Sequence, residues 1–144
     1  MTTITISCTI DTTNSEARLG FEAWVDNQKF FDTDHVQVQQ QIVTEIDDDD
    51  AEHELRLVLK NKTTDHTQVD DAGNIVADAT LTITDLAFDE INLGQMFVDH
   101  ATYTHDFNGT QKEIQDKFYG EMGCNGTVSL KFSTPIYLWL LEHM

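Results

Sequence analysis

The segment from His66 to Ile91, HTQVDDAGNIVADATLTITDLAFDEI, decides the fold class because it places a strand between two acidic turns. In its centre, from Ala79 to Thr84, apolar residues alternate with threonine. Alternation with a period of two is typical of a strand that has one buried face. Residues branched at Cβ suit a pleated surface, since few rotamers are lost there. The segment therefore predicts a β-strand and, with it, a β-rich fold.

The run DDAGN before this strand has two interpretations. Aspartate and asparagine hydrogen-bond to their own backbone, and glycine reaches positive φ, so the run is typical of a tight turn. Asp70, Asn74 and Asp78 also offer the oxygen ligands that Ca²⁺ prefers. The EF-hand spacing fails, because Gln68 stands where the first aspartate is required. A turn is the first interpretation, and a Ca²⁺ site at these three residues is the second.

The same alternation recurs along the chain. It predicts further strands within residues 2–10, 19–25, 35–46, 51–59, 97–105 and 128–132. We expect one hairpin at Asp26 and Asn27 and a second that joins residues 35–46 to 51–59 across the aspartates at 47–50. Residues 111–118 contain a helical turn pattern, and Pro135 suits the start of a short C-terminal helix. These patterns predict an all-β, antiparallel β-sandwich or jelly roll of about eight strands, in a single domain over residues 1–144.

The charge of the chain limits its function. Acidic residues outnumber basic residues by 26 to 8, which gives a formal net charge of −18. Such a charge repels nucleic-acid phosphates and anionic lipids, since binding them requires Lys and Arg to displace counterions. Direct binding to nucleic acid is therefore not expected. Three interpretations of the charge stay open: solubility in a salty medium, recruitment of divalent cations, and attraction to a basic partner, which includes mimicry of DNA.

Neither a membrane span nor a signal peptide is predicted. No apolar run approaches the roughly 18 residues that a spanning helix needs. The N-terminus, MTTITISCTI, has neither a basic region nor an uninterrupted apolar region. Cys8 falls on the apolar face of the first strand and Cys124 in a glycine-rich loop, and both are expected to behave as small buried hydrophobic residues. The spacing does not decide whether they form a disulfide.

Three aromatic residues are predicted to bind ligand. Trp24 lies on the face of its strand opposite to Phe21 and Ala23, where an aromatic ring can stack on the flat apolar surface of a sugar. The alternative is that another layer or subunit covers Trp24, because large aromatic residues mostly serve packing. Tyr103 and Tyr119 are the two further candidates for stacking.

Catalysis has no support in the sequence. No G-x-S-x-G, H-E-x-x-H or paired-cysteine zinc motif is present, and carboxylates are too abundant for one pair to stand out. His53 falls on an apolar strand face, which is typical of a core or rim residue. His100 and His105, placed in one strand, would point to opposite faces and could not hold one ion. We therefore expect a protein that is not an enzyme.

Three stretches carry a resemblance: GNIVADATLTI (73–83), FNGT (107–110) and NGTVSLKFSTPIYLWLLEHM (125–144). The chain resembles small acidic β-rich proteins of marine tailed phages, a group without a family name. The resemblance implies a virion component or a sugar-binding module, and with the former a location in the virion. It assigns no residues.

Three functions follow from these observations. The preferred hypothesis is a non-catalytic carbohydrate-binding module, with or without Ca²⁺, that uses the aromatic and oxygen-bearing residues named above. The second is a virion structural or assembly protein whose apolar C-terminal segment docks on a protein partner or on another copy, since large exposed apolar patches are rare in monomers. The third is an acidic inhibitor that mimics nucleic acid.

Overall fold

The computed structural model of the protein describes residues 3–14, 17–62, 67–69, 71–72, 75–106 and 112–143, with only the backbone described at 67–69 and 75–78. This part of the chain forms thirteen strands and two helices. The strands are β1 (Thr3–Thr12), β2 (Gly20–Val25), β3 (Gln28–Thr33), β4 (Gln40–Asp47), β5 (Glu52–Lys60), β6 (Thr67–Val69), β7 (Ile75–Asp78), β8 (Leu81–Phe88), β9 (Ile91–Asn92), β10 (Thr102–His105), β11 (Ile114–Lys117), β12 (Glu121–Met122) and β13 (Gly126–Ser133). The helices are α1 (Gln95–His100) and α2 (Ile136–His143).

Most of the strands form two antiparallel sheets. The first sheet has the order β12-β8-β1-β4, with β9 also paired to β8, and the second has the order β11-β10-β13-β5-β2-β3. Strands β6 and β7 form a separate hairpin. The predicted all-β antiparallel sandwich with a short C-terminal helix is confirmed, although the described strands number thirteen rather than about eight.

The core lies between the two sheets and follows from the alternation in the sequence. The first sheet contributes the buried residues of β1 and β8, including Ile6 and Ile83. The second contributes every other residue of β5 and β13, such as Leu57 and Leu130. Burial of one such side chain stabilises the fold by about 1.5–3 kcal/mol. Helix α2 covers one end of this core with Ile136 and other apolar residues.

The link between β4 and β5 differs from the prediction of a hairpin. β4 pairs with β1 in the first sheet, whereas β5 pairs with β2 and β13 in the second. Residues 48–51 therefore cross from one sheet to the other at the end of the sandwich where β1 begins and β13 ends. Alternation indicates which side chains face the core, but it does not indicate which strand is the neighbour.

Three other local predictions were wrong. β4 begins at Gln40 rather than at residue 35, and Val38 is exposed. Residues 95–100 form α1, which buries Phe97, so only the second half of the segment 97–105 is a strand. Residues 114–117 form the edge strand β11 instead of a helical turn. Within the described ranges no helix has the length and apolar character needed to cross a membrane.

Both cysteines are free thiols. Cys8 is buried on the inner face of β1, as expected, and Cys124 is half-buried in the loop before β13. Burial raises the pKa of the Cys8 thiol to about 12, because the interior disfavours the thiolate. Cys8 is therefore un-ionised and unreactive at neutral pH.

Candidate functional site

One end of the sandwich carries a pocket of about 550 Å³, which we call the end pocket. The β2–β3 turn, the start of β5, the end of β13 and helix α2 form its walls. Its lining residues are Asp26, Glu52, His53, Glu54, Lys131, Phe132, Ser133, Trp139, Glu142 and His143. A second pocket of about 380 Å³ adjoins it and shares the wall formed by Glu52, Ser133, Trp139 and Glu142. The two pockets are thus neighbouring hollows on the same end of the molecule.

Aromatic rings form one side of the end pocket. The α2 backbone turns at Pro135, whose carbonyl accepts a hydrogen bond from the Trp139 N–H. The Trp139 ring then packs edge-on against Phe88 and Phe132, with ring centres 6.1 and 6.4 Å apart. His143 stacks on the other side of Trp139, at 4.6 Å and an interplanar angle of 27°. The pocket therefore rests on an aromatic stack that is continuous with the core.

His53 joins two loops at the opposite wall. Its Nδ1 lies 2.7 Å from a carboxylate oxygen of Asp26, and its Nε2 lies 2.8 Å from one of Asp49. Its ring also stacks on Phe132, with centres 5.5 Å apart. Asp49 in turn accepts a hydrogen bond from the Thr134 hydroxyl at 3.0 Å. His53 thus connects the β2–β3 turn with the crossover link, and Asp49 connects that link with Thr134, just before α2.

The pKa of His53 follows from this arrangement. Burial disfavours the imidazolium, but the hydrogen bonds to Asp26 and Asp49 and the attraction of the two carboxylates outweigh burial and raise the pKa of His53 above its usual value. The same imidazolium lowers the pKa of the Asp49 carboxyl. Protonation of His53 therefore strengthens the wall of the end pocket.

We expect His53 to make stability depend on pH near neutrality. Its folded pKa is raised, so its contribution is fully present below the unfolded value of about 6.5 and is lost as pH rises through the folded pKa. The contribution is about 1 kcal/mol, because both carboxylates are partly exposed to solvent. Urea unfolding of the wild type and of His53→Gln from pH 5.5 to 9 measures it. A wild-type advantage that does not shrink with rising pH would contradict this account.

Two carboxylates on the shared wall are available to a ligand. Glu52 and Glu142 are exposed, and the side-chain carboxylate of neither makes a hydrogen bond or ion pair with another described residue. In contrast, Asp26 is occupied by His53 and by the backbone N–H of Glu54. Glu52 and Glu142 border both pockets, so they can accept hydrogen bonds from hydroxyl groups in either one.

The structure separates the three aromatic residues that the sequence predicts to bind ligand. Trp24 lies half-buried on the outer face of the second sheet, where its Nε1–H donates to Glu22 at 3.0 Å. The cationic groups of Lys29 and Arg56 lie 5.6 and 5.4 Å from its ring centre. Its ring is therefore engaged by neighbours in the same sheet rather than by a covering layer.

Tyr103 and Tyr119 occupy very different environments. Tyr103 lies on the inner face of β10, is 7% exposed, and hydrogen-bonds through its hydroxyl to both the N–H and the carbonyl of Cys124. Burial also raises the pKa of Tyr103. Tyr103 is therefore a core residue in this structure, without an exposed ring face. Tyr119, between β11 and β12, is 76% exposed to solvent.

The residues of the predicted calcium site fall largely outside the described part of the chain. Asp70 and Asn74 lie outside it, and for Asp78 only the backbone is described, at the end of β7. Among the residues that are described, no group of three or more His, Cys, Asp and Glu side chains is arranged to hold a metal ion. The calcium site at Asp70, Asn74 and Asp78 therefore stays a prediction.

Sequence reasoning missed the end pocket, although it noted several of its parts. His53 was expected at a core or rim, and the aspartates at 47–50 in the link of a hairpin; the structure joins the two through Asp49. The signal was the spacing of Asp49 and His53, four positions apart across a strand start. The apolar C-terminal segment was expected to dock on a protein partner or on another copy. In α2, Ile136, Trp139 and Leu140 are buried, while Tyr137, Leu138 and Leu141 are exposed.

Comparison with known proteins finds solved structures of similar fold. No protein-family model matches the sequence, and no curated protein matches it significantly. The selenomethionine form of vCBM60, from work that links two families of calcium-dependent carbohydrate binding modules by circular permutation, is similar with a TM-score of 0.56. The match has 11% identity and covers 88% of this chain and 89% of that one. The complex of vCBM60 with galactobiose gives a TM-score of 0.54 at 11% identity, over 88% and 96% of the chains. This likeness shows that the β-sandwich of this chain is a fold already seen in solved structures.

Proposed function

We propose that this protein is a non-catalytic carbohydrate-binding module and that the end pocket is its binding site. The observation that carries the proposal is the shared wall of the two pockets, where Glu52 and Glu142 stand unpaired beside the Trp139–His143 stack. The likeness in fold to vCBM60, which has been obtained in complex with galactobiose, supports the same function.

The chemistry of the end pocket suits a sugar. A pyranose ring presents apolar C–H groups on its faces and hydroxyl groups around its edge. The aromatic side of the pocket, with His143 as its outermost ring, matches the faces. Unpaired carboxylates accept strong hydrogen bonds from hydroxyl groups. Lys131 is the only Lys or Arg among the lining residues, so the pocket favours neutral sugars over sugars that carry carboxylate or sulfate.

Carboxylate removal tests the site. Glu52→Gln and Glu142→Gln are expected each to weaken binding of a neutral oligosaccharide by about 10-fold or more, because a hydrogen bond to a charged group contributes about 1.5–3 kcal/mol. Glu121→Gln is the matched control, since Glu121 is an exposed carboxylate on β12, toward the opposite end of β8. A glycan array with and without Ca²⁺ selects the ligand, and calorimetry measures the affinities.

Two outcomes would contradict this proposal. One is an array on which no glycan binds in either condition. The other is an affinity that falls equally in all three variants, which would indicate a loss of general negative charge rather than of the end pocket. Chromatography of the oligosaccharide after long incubation checks the non-catalytic part of the proposal, and shortened products would contradict it.

Calcium dependence is the second part of the proposal. Its support is the acidic segment that contains Asp70, Asn74 and Asp78, together with the likeness in fold to calcium-dependent modules. Carboxylate and amide oxygens are the ligands that Ca²⁺ prefers. In this proposal the ion orders the turn between β6 and β7 and, through it, a surface that contacts sugar hydroxyl groups.

Thermal unfolding tests the calcium proposal without a sugar. Ca²⁺ at 100 times its dissociation constant should stabilise the folded state by about 2.7 kcal/mol and raise the unfolding midpoint by several degrees relative to EDTA. Asp70→Asn combined with Asp78→Asn should abolish most of that rise. An equal rise with Mg²⁺, or no rise with Ca²⁺, would refute a specific calcium site. The segment would then be an ordinary tight turn without a bound ion.

A further inference from the structure

Two histidines meet where the helices end. α1 ends at His100 and α2 at His143, and their imidazole rings lie with centres 4.9 Å apart and planes at 89°. We propose that His100 and His143 form a binding site for a divalent transition-metal cation such as Zn²⁺, Ni²⁺ or Cu²⁺. Its ligands are different residues from those of the predicted calcium site, and it shares His143 with the end pocket but does not require the carbohydrate function.

The distance between the rings suits a shared metal. A transition metal binds an imidazole nitrogen at about 2.0–2.1 Å, which places it roughly 3.2 Å from the ring centre. Two imidazoles on one tetrahedral metal therefore have centres about 5 Å apart. The observed separation is 4.9 Å, and a shared ion requires rotation of the exposed His100 ring alone, since the hydrogen bond to Trp139 holds the His143 ring in place.

The hydrogen bond of His143 prepares it as a ligand. Its Nδ1 lies 2.7 Å from the carbonyl oxygen of Trp139, and a carbonyl can only accept, so Nδ1 carries the proton. In the neutral ring the lone pair is then on Nε2. Metal-binding histidines generally donate their second ring nitrogen to such an acceptor, which fixes the tautomer and the ring orientation. The His100 ring is exposed and makes no hydrogen bond to another described residue.

The electrostatics also favour a cation here. The C-terminal end of α2 carries partial negative charge from its unpaired carbonyls, and His143 lies in that last turn. Asp99 and Glu142 precede the two histidines in sequence, and the chain has a net charge of −18. With two protein ligands the site is open, and water completes the coordination. Imidazole ligands select Zn²⁺, Ni²⁺ and Cu²⁺ over Ca²⁺ and Mg²⁺, which prefer oxygen.

Fluorescence of Trp139 reports on this site directly. The chain has two tryptophans, so Trp24→Phe leaves Trp139 as the only one, and the His143 ring lies 4.6 Å from it. Titration of this variant with Ni²⁺ at pH 7.5 should give saturable quenching that EDTA reverses. Adding His100→Gln or His143→Gln should weaken the apparent affinity at least 10-fold, and Ca²⁺ should give no quenching. His35→Gln is the control, because His35 follows β3 at the opposite end of the sandwich.

The same titration can overturn the proposal. Quenching that never saturates, or a binding curve that is unchanged in both His100→Gln and His143→Gln, would mean that Ni²⁺ associates with the acidic surface in general. Circular dichroism and thermal unfolding of each variant establish that it is folded. A loss of quenching is then assigned to the missing imidazole and not to unfolding.

Discussion

Replacement of Trp139 by alanine is expected to lower the free energy of unfolding by about 3–5 kcal/mol. Trp139 is 5% exposed, and its ring contacts Phe88 and Phe132 on one side and His143 on the other. Truncation leaves a cavity between α2 and the ends of both sheets, because the two phenylalanines are anchored in their strands. A single domain has a total stability of only about 5–15 kcal/mol, so this loss is large.

The same helix offers a matched control. Leu141 is two positions further along α2 and is 71% exposed, so Leu141→Ala should change the free energy of unfolding by no more than about 0.5 kcal/mol. Chemical denaturation of the wild type and both variants gives the comparison. If Trp139→Ala and Leu141→Ala lower the free energy of unfolding equally, α2 does not pack against the core as described. The description of the aromatic side of the end pocket would then be wrong as well.

A second large effect is expected for Gly126→Ala. Gly126 begins β13 between β10 and β5, opposite His105 and Leu59. A Cβ at this position would clash with the Thr104 carbonyl oxygen and would lie 2.9 Å from the Cβ of His105. The first of these atoms belongs to the backbone of a paired strand and cannot rotate away. The methyl group must push β10 and β13 apart, which costs about 1–3 kcal/mol or more.

Gly123 is the control for this substitution. It lies three residues earlier, in the loop before β13, and a Cβ there meets no atom within 4 Å. Gly123→Ala should therefore be neutral or slightly stabilising, because alanine restricts the unfolded chain more than glycine does. Thermal unfolding of both variants decides the matter, and a Gly126→Ala variant as stable as Gly123→Ala would show that β10 and β13 are not in the register described.

Local patterns predicted the strands better than their arrangement. Ile4, Ile6, Leu81 and Ile83 were expected on buried faces, and all four are buried. The reason is that burial of one strand face imposes a period of two on the strand's own sequence. Which strands pair is decided by contacts between distant segments, and so the hairpin expected between β4 and β5 is absent while β4 lies beside β1. The helix α1 was hidden because its six residues are too few to show helical periodicity.

The candidate sites were harder to predict than the fold for the same reason. His53 and Asp49 were each recognisable, but the partner Asp26 is 27 positions away, and the link from Asp49 to Thr134 spans 85. Likewise His100 was compared with His105, its neighbour in sequence, whereas the ring it meets belongs to His143 on another helix. A site built from side chains that are distant in the sequence leaves no characteristic spacing to detect.

The crossover between the sheets also has a kinetic consequence. Closure of this end of the molecule relies on hydrogen bonds between residues far apart in the chain, such as Thr5 with Asp89 over 84 positions and Ala51 with Thr134 over 83. The chain must lose the entropy of a long loop before such contacts can stabilise it. Sandwiches of this kind therefore fold in milliseconds to seconds rather than microseconds. The end pocket is complete only when α2 has docked, because α2 supplies Trp139, Glu142 and His143 to its lining. A chain in which α2 has not docked therefore lacks this wall of the end pocket, even when both sheets have formed.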